Sequence, residues 1–174
     1  MRSKAIEAYQ TPHRPVRHYA SRILTYGIYN DYPQVVRDLL SNSGVATSVT
    51  KKYASHIRGN GFVNEALNTQ ILNRKGQTAS QILRLITKDF SIFNGFALHF
   101  NYNALLQICE VQYMHFEHCR FGHKDFTGHV PKIAVWNNWD SQNYDLERTK
   151  KVEYINTFNP DPEVVASQIE RAGG

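Results

Sequence analysis

The feature that most constrains this chain is a change of hydrophobic period at Asn94-Gly95. Before it, Ile82, Ile86, Phe90 and Phe93 recur at helical spacing, flanked by Leu83 and Leu85. After it, Phe96, Leu98, Phe100 and Tyr102 alternate with Ala97, His99 and Asn101. Apolar side chains three or four apart share one face of a helix, and those two apart share one face of a strand. Helices and strands therefore fall in separate stretches. That order predicts an α+β fold: amino-terminal helices, then a mostly antiparallel sheet, then a final helix.

The helical half divides at its breakers. Pro33 suits a first helical position, where its missing N–H would have no partner anyway. Val35, Val36, Leu39 and Leu40 give that helix a short apolar face, and Asn42-Ser43-Gly44 ends it. Ser43 is placed to cap a second helix whose apolar face is Val45, Val49, Tyr53 and Ile57. Gly59-Asn60-Gly61 stops it. Thr78-Ala79-Ser80-Gln81 has the form of a capping box and opens the third helix.

In the strand half, 96–102 and 107–113 form a hairpin about a turn at Asn103-Ala104. Further strands are expected over 116–121, 132–136 and 151–158, with polar loops at 122–128 and 137–150. Asp161-Pro162-Glu163 starts the last helix with a cap, a first-position proline and an acid on the positive end of the dipole. Gly173-Gly174 follows it directly, which looks like a chain cut at a linker. Residues 1–18, with Pro12, Pro15, Arg14, Arg17 and His18, read as a basic flexible arm. Residues 19–174 read as a single α+β domain.

Charge is unevenly spread. Residues 1–60 hold nine Lys or Arg against three acids, while residues 61–174 hold eleven against twelve. A basic front half suits either a solvated surface with a loose arm or a face for nucleic acid or an acidic partner. Arg37, Lys51, Lys52 and Arg58 are the candidate phosphate-facing residues, the last three on or at the end of the second helix. Trp136 and Trp139 suit a core or subunit interface, with base stacking as the second reading. Two cysteines, Cys109 and Cys119, make no disulfide framework and read as reduced thiols of a protein made in a reducing cytoplasm. No signal peptide opens the chain, and no apolar run nears the roughly 18 residues of a membrane span.

Catalytic signatures do not accumulate. His115, His118, Cys119 and His123 carry ligand chemistry, but their spacing matches no zinc pattern, and in a strand His118 and Cys119 point to opposite faces. There is no G-x-S-x-G elbow and no Walker loop. The expectation is no catalytic residue, no metal and no cofactor.

One stretch is more particular. Tyr26-Gly27-Ile28-Tyr29-Asn30-Asp31-Tyr32-Pro33 leads into a helix, then Asn42-Ser43, then a helix ending in Ile57-Arg58-Gly59-Asn60-Gly61-Phe62. This resembles the opening of tailed-phage portal proteins, especially those of phages and prophages of Bacteroidetes-type bacteria. Phe93-Asn94-Gly95-Phe96-Ala97-Leu98 with Tyr102-Asn103 resembles that family's helix-to-hairpin passage. Gln112–Arg120 and Ile155-Asn156-Thr157-Phe158-Asn159-Pro160 are similar to later segments. The likeness spans about residues 20–174. Ile28 and Tyr29 depart from it, since the family often carries an acid there.

The resemblance implies a structural, non-enzymatic subunit of the portal ring, fixed at one capsid vertex of the virion. DNA is packaged and ejected through that ring. Implied partners are further copies of the chain, the terminase, head-completion proteins, capsid protein and the phage DNA in the channel, with no membrane. Portal subunits are longer, so the stem, the clip and the returning half of the wing are expected beyond Gly174. Surface left bare by their absence is expected at Tyr113, Phe116, Trp136, Trp139 and Phe158. The competing readings are an independent nucleic-acid-binding module and a metal-dependent nuclease or hydrolase around His115–His123.

Overall fold

A computed structural model of the chain describes residues 23–27, 30–139 and 152–171. The arm expected over 1–18, most of the 137–150 loop and the closing glycines lie outside the described residues. The architecture is α+β, with the helices first, antiparallel strands next and a helix last.

Local signals set the helix ends. Helix α1 runs Tyr32–Ser41, with Pro33 in its first turn. Helix α2 runs Gly44–Arg58, and the Ser43 hydroxyl accepts the Ala46 N–H at 3.3 Å. A short helix that the sequence reading did not anticipate, α3, runs Glu65–Thr69. Asn64 caps it by accepting the Ala66 N–H at 3.1 Å. Helix α4 runs Ala79–Phe93 and has both halves of the capping box: Gln81 N–H to Thr78 Oγ1 at 3.3 Å and Thr78 N–H to Gln81 Oε1 at 3.0 Å. Asn94 ends it in the left-handed region, at φ 54°.

Strands β1 (Ala97–Tyr102) and β2 (Ile108–Met114) pair antiparallel, with Ala97 opposite Met114 and an irregularity between Asn101 and Tyr102. Asn103 Oδ1 builds the turn by accepting the Leu105 and Gln107 N–H groups at 3.0 and 2.9 Å. The outer edge of β2 is taken by the ribbon before α4. Val111 N–H donates to Leu72 O at 2.8 Å, and Glu110 accepts the Arg74 N–H at 2.9 Å.

The segment expected as one strand over 116–121 is divided. Phe116–His118 is a turn of 3₁₀ helix and only Cys119–Phe121 is strand β3. Strands β4 (Lys132–Val135) and β5 (Glu153–Asn156) complete an antiparallel three-stranded sheet in the order β3-β4-β5. The outer edge of β3 is paired by residues from before α1: Leu24 N–H donates to Phe121 O at 2.7 Å, and Ile23 bridges Gly122.

One face of this sheet meets the buried cluster of Ile23, Ala134, Trp136 and Trp139, with Val152 packed against it. The Trp139 indole N–H donates to His118 O at 2.7 Å, which satisfies its polar atom inside the core. The other face, with Ile133, Val135 and Ile155, looks onto an apolar cavity of 740 Å³ bounded by β1 and by α5 (Pro162–Arg171). Asp161 caps α5 by accepting the Glu163 N–H at 3.0 Å.

Candidate functional site

Helix α2 carries two stripes at four-residue spacing, one position apart. Ala46, Thr50 and Ala54, with Thr47, are small; Val45, Val49, Tyr53 and Ile57 are large and apolar. Burial alone would put the large stripe inside, and the sequence reading expects that. The structure reverses it. The small residues are half-buried, and Thr47, Thr50 and Ala54 face the flank of α4. Small side chains let two helices approach closely, and Thr47 Oγ1 adds a 2.6 Å bond to Leu40 O. The large stripe is exposed, Val45 by 78% and Val49 by 62%. No residue of α2 is fully buried. From Val45 to Ile57 the bare strip is about 18 Å long at a rise of 1.5 Å per residue. Val35 and Leu39 of α1 are exposed as well, which also departs from the expected apolar face.

The flank of α2 that meets α4 opens into a cleft of 940 Å³. Lys51 and Arg58 line it from α2, and Arg84 and Lys88 from α4. Gln77, Gln81, Ser55 and Ser91 add amide and hydroxyl groups. Among the described residues that line it, none is acidic or aromatic. Among the described residues, the ion pairs join Arg37 to Asp89 and Glu117, Arg74 to Glu110 and His118 to Glu117, and none uses these four cations.

Of the four candidate phosphate-facing residues, then, the structure brings together two. Lys52 is exposed on α2 beside the cleft but does not line it. Arg37 is engaged elsewhere: it pairs with Glu117 at 2.8 Å, lies 3.9 Å from Asp89 and sits over the Phe93 ring. Arg84 and Lys88 were missed. Their spacing of four on α4 was visible, but their meeting with α2 was not.

Asp89 and Arg120 are the most deeply buried charged side chains among the described residues. Asp89, on α4, accepts the Tyr113 hydroxyl at 2.6 Å and the Phe116 N–H at 3.1 Å through the same oxygen. Burial, and then the hydrogen bond to Asp89, push the Tyr113 hydroxyl above its ordinary range. Arg120, fully buried on β3, donates to Asn30 Oδ1, Asn30 O, Glu117 O and Cys119 O at 2.5–2.9 Å. Its guanidinium also lies over the rings of Tyr26 and Trp139. These groups join segments that are distant in sequence, as interior hydrogen-bonded charges do.

His115 and His118 lie with ring centroids 5.1 Å apart. Burial, with His115 adding to it, lowers the His118 pKa. Cys119 is buried, and burial pushes its thiol up to about 11. Among the described residues, no three or more His, Cys, Asp or Glu side chains are grouped to hold a metal ion.

Comparison with known protein families, curated proteins and solved structures gives no match to this chain. Among the described residues no helix is long and apolar enough to cross a membrane. The expected bare aromatics divide: Phe158 is exposed, Tyr113 and Phe116 are half-buried, and Trp136 and Trp139 are core. Other exposed apolar side chains include Val63, Leu105 and Phe126 in connecting segments, and, in a row along one helix, the Val45–Ile57 stripe of α2.

Proposed function

We propose that this chain is the amino-terminal part of a portal-like ring subunit of a tailed phage, a structural component with no active site of its own. The observation that carries the reading is the reversal of α2. A helix that packs by its small residues and presents Val45, Val49, Tyr53 and Ile57 outward is built to be covered by something else. A ring subunit supplies such a cover from its neighbour or from its own later segments. The sequence resemblance over residues 20–174 adds the kind of ring. In this reading the partners are further copies of the chain, the packaging terminase, head-completion and capsid proteins, and DNA.

Two measurements test it. Sedimentation velocity over a concentration series should show association of the wild-type chain, weakened in the Val49→Lys/Tyr53→Lys variant. A wild-type chain that stays monomeric throughout overturns α2 as an assembly surface. Immunogold labelling of phage particles with an antibody to this chain should mark a single vertex. Label spread over the head, or absent from it, overturns the portal assignment.

A further inference from the structure

The cleft between α2 and α4 has a chemistry of its own, separate from the apolar stripe. We propose that it is a docking site for the phosphodiester backbone of duplex DNA, read without regard to base sequence. Lys51 and Arg58 stand about 10 Å apart along α2, and Arg84 and Lys88 about 6 Å apart along α4, at 1.5 Å per residue. The four face one channel, and their neighbours there among the described residues are amide, hydroxyl and aliphatic. A groove lined by cations raises the local concentration of a polyanion, and none of the described lining residues is an acid that would offset them.

Donors are what the wall offers most. Lys and Arg donate only, the Gln77 and Gln81 amides and the Ser55 hydroxyl can also donate, and phosphate oxygens accept. The lack of an aromatic side chain decides which nucleic acid fits. Single strands are held by stacking their bases on aromatic rings, and among the described residues this wall has none. Duplex DNA keeps its bases inside and presents only charge and oxygen, at one charge per about 1.7 Å of axis. The site names a contact within the proposed function but does not depend on ring assembly, because every residue in it comes from one copy.

The test is fluorescence anisotropy of the purified 174-residue chain with a labelled duplex of mixed sequence, over a salt series. Four phosphate contacts give a log–log salt slope of about −3.6, and Arg84→Glu/Lys88→Glu should cut its magnitude by about half while weakening binding at least tenfold. Lys75→Glu and Lys124→Glu, on exposed residues outside the cleft, should leave binding unchanged. Circular dichroism checks that each variant is folded. Wild-type affinity in the cleft variant overturns the proposal. So does tighter binding of polyglutamate than of duplex, which makes the occupant an acidic polypeptide, or of a single strand, which makes base stacking the stronger term. Val49→Lys/Tyr53→Lys should still bind DNA, so failure of self-association and failure of the cleft read out separately.

Discussion

The Tyr113 hydroxyl donates to the Asp89 carboxylate at 2.6 Å and thereby closes the β1–β2 hairpin onto α4. Asp89 is 1% exposed, and the same oxygen also accepts the Phe116 N–H. Asp89→Ala removes the buried carboxylate that both donors share and should lower unfolding free energy by about 3 kcal/mol; Tyr113→Phe should cost about 1 kcal/mol. Urea denaturation measures both, and the double variant should fall short of their sum because the two share one bond.

Arg120 holds Asn30, Glu117 and Cys119 with a planar fork and stacks between rings. Lysine keeps the charge but loses the fork. Arg120→Lys should destabilise the chain by about 3 kcal/mol, in the range for a broken buried charged network. A denaturation midpoint equal to wild type would show that the guanidinium geometry carries no stability.

Gly95 is fixed by close approach. A Cβ there would lie 2.8 Å from Phe116, whose ring is stacked on Phe93 and Tyr26. Gly95→Ala should cost about 2 kcal/mol, as overpacking does. Gly44 opens α2 with nothing within 4 Å of an added Cβ, so Gly44→Ala should stabilise by about 0.5 kcal/mol. Thermal melts of the two variants should move in opposite directions.

Alkaline pH should loosen the fold. Cys119 is raised to about 11 and Tyr26 to about 12, each chiefly by burial. Both are acids that deprotonate at lower pH when unfolded, so above about pH 9 the unfolded chain binds fewer protons and stability falls with pH. Their contribution is whole below about pH 9 and gone by about pH 12. The urea midpoint should decline across that window. At pH 8, iodoacetamide should label exposed Cys109 first and reach Cys119 only on unfolding, as peptide mass spectrometry will show.

What the sequence revealed was what neighbouring residues decide among themselves. Ser43, Thr78 with Gln81, Asn94 and Asp161 set helix ends through bonds spanning a few residues, and each does so here. Helix α3 had the same kind of signal, a capping Asn64 followed by Glu65, but only five residues of helix and no apolar period to draw notice. The faces of α2 were illegible for a different reason. Periodicity says that Val45, Val49, Tyr53 and Ile57 share a side, and only the placement of α4 says that this side is outward. The cleft failed halfway on the same ground: Lys51 and Arg58 were readable on α2, while Arg84 and Lys88 needed the helix pairing. Arg120 gave no local sign of burial, because its partners Asn30 and Tyr26 lie some ninety residues earlier.

The pairing of Leu24 with Phe121 sets an order in time. Translation delivers the chain from its amino end at roughly 5–20 residues per second, so Leu24 emerges several seconds before the edge it joins. The β3-β4-β5 sheet cannot finish until Asn156 is out. Helices α1, α2 and α4 pack on one another through residues no later than Phe93, and can begin to close while the earlier segment waits, although Arg37 and Asp89 gain their partners Glu117, Tyr113 and Phe116 only later. Ribosome-bound chains stalled past α4 but short of β5 should therefore resist protease over the helices and be cut near Leu24.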